Sequence, residues 1–383
     1  MIILNCIDWV LFILLALCVC YLLIFAIASL FFNEKEYPET VKKHHFLIIF
    51  PAYAEDSVIV NSIKTFLQQD YPKEFYQVVT ISDHQEEETN KQLRELPITT
   101  IIATYQNSSK AKALTLAIDT IQGNFDAVVV LDADNLAPNN FLSEINKMLV
   151  YGIQVIQVHR KGIMSSQSQI SLLDGVSEEI NNGFFRKGHQ VLGLSSALTG
   201  SGMIFEYTWF KDNIRNASTS GEDKELESML LRQRIKVTYS DRLYVYDKKT
   251  DKQDAIGNQR KRWIAAQFHA LAVNIPNLPN SIITKNFSYV DKIFQWMLPP
   301  RLIQIGAIFC ITIIVLLIDI NTAYKWILLC IAEIVAMILP IPKEYWNKQL
   351  LHSLIKIPQL AIKVFLNLFK LKGSSNTFSH TKH

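Results

Sequence analysis

Asp132-Ala133-Asp134 is the sharpest chemical signal in the chain. Two carboxylates, two residues apart, follow the apolar run Ala127–Leu131 and so stand at a strand end. There they can flank one divalent cation while diphosphate oxygens fill its remaining positions. Such a cation neutralises the charge that grows on a departing diphosphate. An isolated Asp-x-Asp is more often a solvated turn, but this one closes a series. His45–Phe50 leads into Pro51-Ala52-Tyr53-Ala54-Glu55-Asp56, Gln77–Ile81 leads into Ser82-Asp83-His84, and Thr99–Ala103 precedes Ser109-Lys110. Lys110 opens a helical stretch, where a lysine opposes the helix dipole. A bound anion accounts for it there; a plain surface lysine is the alternative.

Two glycine-bearing segments follow, Thr199-Gly200-Ser201-Gly202 and Gly221-Glu222-Asp223-Lys224. A carboxylate after a glycine turn suits a general base that takes a proton from an acceptor hydroxyl. It equally suits a helix start, where the dipole favours acidic residues, and spacing does not choose between them. Gln259-Arg260-Lys261-Arg262-Trp263 sets three basic residues beside a tryptophan, as a membrane-surface segment or as a grip on phosphates. No histidine cluster has metal spacing, and neither G-x-G-x-x-G nor a Walker A run occurs, which argues against a dinucleotide or ATP fold.

The elements that must position these groups alternate. Helical stretches such as Asp56–Gln69 and Lys110–Ile121 lie between the strand runs. Alternation of this kind predicts an α/β fold with a mostly parallel sheet. Ligands of such sheets bind outside the C-terminal ends of the strands, where the polar sets fall.

The ordered set Pro-x-Tyr, Ser-Asp, Lys, Asp-x-Asp, Glu-Asp and Gln-x-x-Arg-Trp, over roughly residues 45 to 270, resembles the membrane-embedded family-2 glycosyltransferases. These are relatives of cellulose, chitin, hyaluronan and poly-N-acetylglucosamine synthases. The resemblance implies a GT-A nucleotide-diphospho-sugar transferase domain, a UDP-sugar donor, Mg²⁺ or Mn²⁺, and inversion at the anomeric carbon. It places Pro51, Tyr53 and Glu55 at the nucleoside, Asp83 near uracil, and Lys110 near the donor diphosphate. It makes Asp132 and Asp134 the metal motif and Asp223, beside Glu222, the catalytic base. Gly200, Ser201 and Gly202 match a loop near the acceptor sugar. Gln259, Arg262 and Trp263 match an interfacial motif that closes on diphosphate and acceptor. Phe378-Ser379-His380-Thr381 is similar to the tail of bacterial members. Three positions depart from the family pattern: Ala54 for Asn, Ser109 for Gly and Gly221 for Thr.

The chain has 383 residues and a net charge of +3 from 38 basic and 35 acidic residues, so bulk charge gives no reason to expect nucleic acid. Hydrophobic residues make up 49% and the mean hydropathy is +0.15, which puts part of the chain in lipid. Cys6, Cys18, Cys20, Cys310 and Cys330 all lie in or beside long apolar runs. That excludes a disulfide framework or zinc–cysteine site in the middle region, and fits a reducing setting for it.

The run Trp9–Phe32 is long enough to cross the hydrocarbon core. It is longer than a signal-peptide core and lacks a basic leader and a small-x-small site, which predicts a retained anchor. Leu302–Ile318 and Trp326–Leu339 follow, separated by Asp319–Lys325, and predict a hairpin of spans. Glu333 within the third run must face other helices or a polar cavity, unless it sits near an interface with no task. Lys343, Lys348, Lys356, Lys363, Lys370 and Lys372 follow, so the positive-inside rule puts the C-terminus in the cytoplasm. Three spans then place the N-terminus outside and residues 33 to 300 inside. Leu350–Leu371, interrupted by Pro358, predicts a helix on the membrane surface, with a fourth span as rival.

The expected organisation is an anchor over 1–33, a cytoplasmic catalytic domain over 34–275 and an interfacial linker over 276–300. A transmembrane hairpin over 301–341 and an amphipathic interfacial helix with a cytoplasmic tail over 342–383 complete it. The expected activity is metal-dependent sugar transfer to a growing glycan at the inner or plasma membrane, in cell-surface or exopolysaccharide synthesis. Single-sugar transfer to a polyprenyl-phosphate lipid or glycolipid is the enzymatic rival, and a transport or scaffold subunit the non-enzymatic one. The partners are a nucleotide-sugar donor, a glycan or lipid-linked acceptor and the bilayer. Few spans also leave room for a homo-oligomer or an export partner.

Overall fold

The computed structural model describes residues 2–163, 169–248, 253–359 and 362. Phe378-Ser379-His380-Thr381 lies outside them, as does half of Leu350–Leu371. The chain begins with α1 (Ile2–Ser29), β1 (Phe46–Tyr53), α2 (Ile59–Phe66), β2 (Tyr76–Asp83), α3 (Glu87–Arg94), β3 (Thr99–Ala103) and α4 (Lys110–Thr120). It continues through β4 (Ala127–Val130), α5 (Phe141–Val150), β5 (Val155–Ile163), α6 (Gln169–Asn182), α7 (His189–Val191), β6 (Met203–Glu206), α8 (Tyr207–Asn213), α9 (Glu222–Arg232) and β7 (Thr238–Lys248). Then come α10 (Gln253–Asn274), α11 (Leu278–Ile283), α12 (Phe287–Met297), α13 (Arg301–Ile318), α14 (Ile320–Ile338) and α15 (Lys348–Leu354).

The strands form one sheet in the order β3-β2-β1-β4-β6-β5-β7. It is mostly parallel, as expected; β6 alone runs against both its neighbours. Side chains alternate across β1, because successive residues of a strand point to opposite faces. Phe46, Ile48 and Phe50 join Ile59, Ile63 and Ile145 in one core layer. Leu47 and Ile49 join Leu114, Phe205 and Leu226 in the other. Burial on both faces explains why these strands read as unbroken apolar runs.

The structure shifts several expected boundaries. β1 runs on through Pro51 to Tyr53 and β2 to Asp83, because their parallel pairing continues to Tyr53↔Asp83. The Ala54 N–H then donates to the Asp83 carbonyl at 2.9 Å. α2 begins at Ile59 instead of Asp56, since the Asp56 carboxylate is engaged elsewhere, accepting the Glu86 N–H at 2.8 Å. The linker Asp319–Lys325 is not a loop. The chain reverses at Asp319, whose carboxylate accepts the N–H groups of Asn321 and Thr322 and so caps α14.

Among the described residues three helices are long and apolar enough to cross a membrane: Asn5–Ser29, Arg301–Ile318 and Ile320–Ile338. α1 and α14 lie side by side and parallel. Near their starts Asp8 pairs with Lys325 and accepts from the Trp326 indole at 2.8 Å. Near their ends Leu22 and Ala26 share a cluster with Ala336. The start of α1 and the α13–α14 turn therefore lie at the same end of the bundle. Glu333 does face another helix: it is buried and accepts from the Gln304 side chain of α13 at 3.1 Å. α1 also touches the segment Gly183–Gly188, where a Cβ on Gly188 would stand 2.3 Å from the Phe25 carbonyl oxygen.

Beneath this contact His159 of β5 bonds Glu179 of α6 at 2.9 Å and Asp241 of β7 at 3.1 Å. Burial opposes its protonation, but the two carboxylates outweigh burial and push it from its ordinary 6.5 to about 9. A histidine raised in the fold adds stability that is complete below its unfolded value and is lost as pH rises through the folded one. The unfolding free energy of the full-length protein is therefore expected to fall between about pH 6.5 and pH 9 by an amount on the order of 3 kcal/mol at most, read as a falling thermal midpoint. In His159→Gln the slope becomes shallower, because the raised Glu55 and Glu222 carboxyls still contribute below about pH 8; an unchanged slope refutes the assignment.

Candidate active site

The polar sets that follow β1 to β4 gather at the C-terminal edge of the parallel strands, where the Gly200 loop and Glu222 at the start of α9 meet them. Pro51 lies two residues past the end of the β1–β4 ladder at Ile49↔Val130, where no bond to β4 is lost by its missing N–H. Tyr53 and Asp83 are neighbours in register. The Tyr53 ring stands 5.1 Å from that of His84, and the His84 Nδ1 donates to Asp83 at 2.6 Å. Beside them a cleft of about 450 Å³ opens, lined by Ser82, His84, Gln85, Asn90, Tyr105 and Gln106 among others. Ala54 takes a φ of 51°, a left-handed conformation that asparagine tolerates better than alanine. Nothing in the structure explains the alanine.

The Asp132-Ala133-Asp134 turn is held from behind. The Asp132 N–H donates to Asn135 Oδ1 at 3.1 Å and to Ser201 Oγ at 2.9 Å, and the Ser201 hydroxyl donates to Asn135. Ser201 thus supports the Asp132-Ala133-Asp134 turn from the glycine loop. Gly200 and Gly202 have φ of +81° and +62°, and a Cβ on Gly202 would stand 2.5 Å from Val158 Cγ2.

Lys110 is no surface residue. Its ammonium donates to Asp132 and to the Gly200 carbonyl at 2.5 Å, and stands 3.9 Å from Glu222 Oε1. Burial works against its charge, yet Asp132 and Glu222 raise its pKa. Ser109, where a glycine is usual, caps α4 by accepting the Lys112 N–H at 3.2 Å.

Glu222 and Asp223 open α9. Burial, with Asp223 and Asp132 adding, pushes the Glu222 carboxyl up to about 7 against the pull of Lys110. Gly221 has a packing reason: a Cβ there would stand 2.8 Å from the Ala266 Cβ of α10. One turn earlier on the same face of α10 is Arg262. Burial lowers its pKa, while Glu222, Asp132 and Asp223 act in the opposite direction, so its guanidinium lies in the field of all three carboxylates. Gln259 is half-buried and Trp263 is 42% exposed.

The structure thus brings Lys110, Asp132, Gly200, Ser201, Glu222, Asp223 and Arg262 into one cluster, with Pro51, Tyr53, Glu55, Asp83 and Asp134 at the adjoining strand ends. Two further residues belong to it that the sequence patterns did not reveal. Gln157 of β5 donates to the Ser201 carbonyl at 2.9 Å and accepts the Thr199 N–H at 3.0 Å. Arg160 donates to the Thr199 carbonyl at 3.0 Å and to Asp247 at 2.7 Å. Its charge is favoured, against burial, by Asp247, Glu178, Asp132 and Asp134. Their only signal in the sequence is two polar side chains within the strand run Val155–Ile163.

The carboxylates fit a hard cation. Burial first, then Asp134, Asp132 and Asp56, push Glu55 up to about 8, a crowding of negative charge that a divalent ion relieves. Among the described residues no group of three His, Cys, Asp or Glu could hold a metal. An ion at Asp132 and Asp134 would therefore take further ligands from a diphosphate, which suits Mg²⁺ or Mn²⁺.

Residues 44–266 match the family described as glycosyltransferase like family 2. No curated protein matches the chain. Among solved structures, the mannosyltransferase PcManGT from Pyrobaculum calidifontis, in complex with GDP-Man and Mn²⁺, is similar over 93% of this chain and 98% of that one, at 15% identity and a TM-score of 0.57. TarS 1–349 of S. aureus, in complex with UDP-GlcNAc, is similar over 86% of this chain and 91% of that one, at 14% identity and a TM-score of 0.45. The sheet with its flanking helices is a GT-A fold.

Because Gly221 sets the approach of α10 to α9, Gly221→Ala is expected to destabilise the protein by about 1–3 kcal/mol, the usual cost of overpacking. A thermal midpoint equal to that of the unaltered protein contradicts this close approach.

Proposed function

Because this chain belongs to the glycosyltransferase like family 2, we propose that it moves a sugar from a nucleotide diphosphate donor, UDP-linked by the motif set, to a growing glycan at a membrane. One observation carries the reading: two cations, Lys110 and Arg262, and the carboxylates of Asp132, Glu222 and Asp223 converge at the strand ends. Cations beside a metal-fitting pair suit a departing diphosphate, and a neighbouring carboxylate suits a base.

The reaction is a single displacement. Asp223 takes the proton of the acceptor hydroxyl, whose oxygen attacks the anomeric carbon from the face opposite the diphosphate. The bond from that carbon to the diphosphate oxygen breaks, and configuration inverts. Lys110 and Arg262 take up the released charge. Mg²⁺ or Mn²⁺, held by Asp132 and Asp134, supplies further charge neutralisation when bound. Glu222, with its raised pKa, shares the acid–base work. Tyr53, Asp83, Pro51 and Glu55 hold the nucleoside end. Gly200, Ser201 and Gly202, with Gln259 and Trp263, face the acceptor.

The three apolar helices support a multi-pass membrane protein. The proposed arrangement is an anchor over 1–33 with its start outside, a cytoplasmic catalytic domain over 34–275, a linker over 276–300, spans over 301–341 and a surface helix with tail over 342–383. Exposed Phe268, Ile283, Phe287, Phe294 and Met297 on α10 to α12 support contact of the linker region with lipid. The likeness to a mannosyltransferase bound to GDP-Man makes a GDP-linked donor the second reading.

Membranes holding the protein are expected to turn over one of UDP-glucose, UDP-N-acetylglucosamine, UDP-galactose or GDP-mannose, only with Mg²⁺ or Mn²⁺ present. Product length separates glycan extension from single-sugar transfer to a lipid. Absence of metal-dependent turnover across the screen would favour a transport or scaffold subunit. Asp223→Asn is expected to cut transfer by about 10² to 10⁴ while sparing nucleotide binding. Transfer at the unaltered rate removes Asp223 from the role of base.

A further inference from the structure

Lys292 of α12 and Glu227 of α9 are 1% and 2% exposed, and their charged atoms stand 2.8 Å apart. The displacement described above uses neither. A pair buried this deeply is a poor stabiliser, because stripping water from two charges offsets most of their attraction. Apolar replacements of similar volume are often as stable. A defined geometry is the other thing such a pair can supply.

Its position gives that geometry a use. Glu227 lies one turn beyond Asp223 on the same face of α9. Its Oε1 also accepts the Leu198 N–H at 3.2 Å, next to Thr199-Gly200-Ser201-Gly202. Lys292 is itself fixed by donating to Gln295 Oε1 at 2.5 Å. A second tie runs alongside, where Ser288 of α12 accepts the Ser195 N–H at 3.3 Å. The remaining buried face of α12, Tyr289, Ile293 and Trp296, packs on Leu231 of α9 and Ala270 of α10. Gln267 of α10 donates to the carbonyls of Trp296 and Leu298, both at 3.0 Å. Only Leu298-Pro299-Pro300 separates α12 from the apolar helix α13, and the prolines restrict that joint.

We propose that Lys292 is a positioning residue: through Glu227, the helix next to the membrane spans sets where Asp223 and the Thr199–Gly202 loop stand relative to the donor. This rests on the reading of Asp223 as the base.

The test uses the full-length protein in detergent and the donor it turns over in the screen. Lys292→Met leaves the Glu227 carboxylate buried without its partner and lowers the thermal midpoint. Lys292→Met with Glu227→Leu recovers most of that loss, short of the unaltered midpoint because the Leu198 N–H loses its acceptor. In that double variant kcat is nonetheless expected to fall by about 10², the cost of a small misplacement, at a donor KM within about twofold of the unaltered value. Amide exchange across 195–202 and 222–227 rises about tenfold in the same variant. A recovered midpoint together with unaltered exchange and kcat overturns the proposal, since the pair is then packing alone. Should the double variant not fold, Lys292→Arg decides. It keeps the charge but displaces Glu227, so kcat falls about tenfold at unchanged KM, and an unaltered kcat overturns the proposal. Asp223→Asn at full rate refutes the base instead, and the exchange measurement, which needs no turnover, still decides the role of Lys292.

Discussion

The ammonium of Lys110, set against Asp132, the Gly200 carbonyl and Glu222, is the interaction on which the site depends. Asp132, Glu222 and Asp223 stand close enough to perturb one another, and Glu55 and Asp134 adjoin them. Like charges gathered out of water repel, and each unpaired carboxylate also loses its hydration. Lys110 offsets both costs, with Arg262 and Arg160 in the surrounding field. It draws together a helix start, the turn after β4, a glycine loop and the start of α9, four segments that no local rule connects.

The sheet makes that meeting possible. Parallel β1, β2, β3 and β4 deliver their polar residues to one edge. Antiparallel β6 begins at the same edge, which brings the loop before it, Thr199-Gly200-Ser201-Gly202, against the Asp132 turn. Gly202 is required there because β5 and β7 approach closely. α9 and α10 close the site from the side, and α12 packs on both through Tyr289, Ile293, Trp296 and Lys292. The bundle is joined to the domain at α1 as well, where the Phe25 ring stacks on His189 at 3.9 Å.

The departures from the family pattern show how far local reading reaches. Ser109 is an ordinary helix cap, a role legible from its place before Lys110. Gly221 has a reason that lies on another helix, and only the packing of Ala266 shows it. The start of α14 was hidden for a similar reason. Asn321 to Lys325 are polar enough to read as a linker, but the Asp319 cap begins the helix there and Lys325 finds Asp8 on α1.

The amino-acid sequence alone determined the strand–helix alternation, the three apolar helices and the order of the polar sets at the strand ends. These depend on periodicity and on neighbours within a few residues, which the order of residues states directly. Tertiary structure alone decided that Lys110 meets Asp132 across 22 residues and Gly200 across 90. It alone placed Gln157 and Arg160 against the Thr199–Ser201 loop and buried Lys292 against Glu227. Such contacts depend on sheet order and helix docking, which bring distant segments together after local structure has formed. A lysine or glutamate in an amphipathic helix looks the same in sequence whether it faces water or a buried partner.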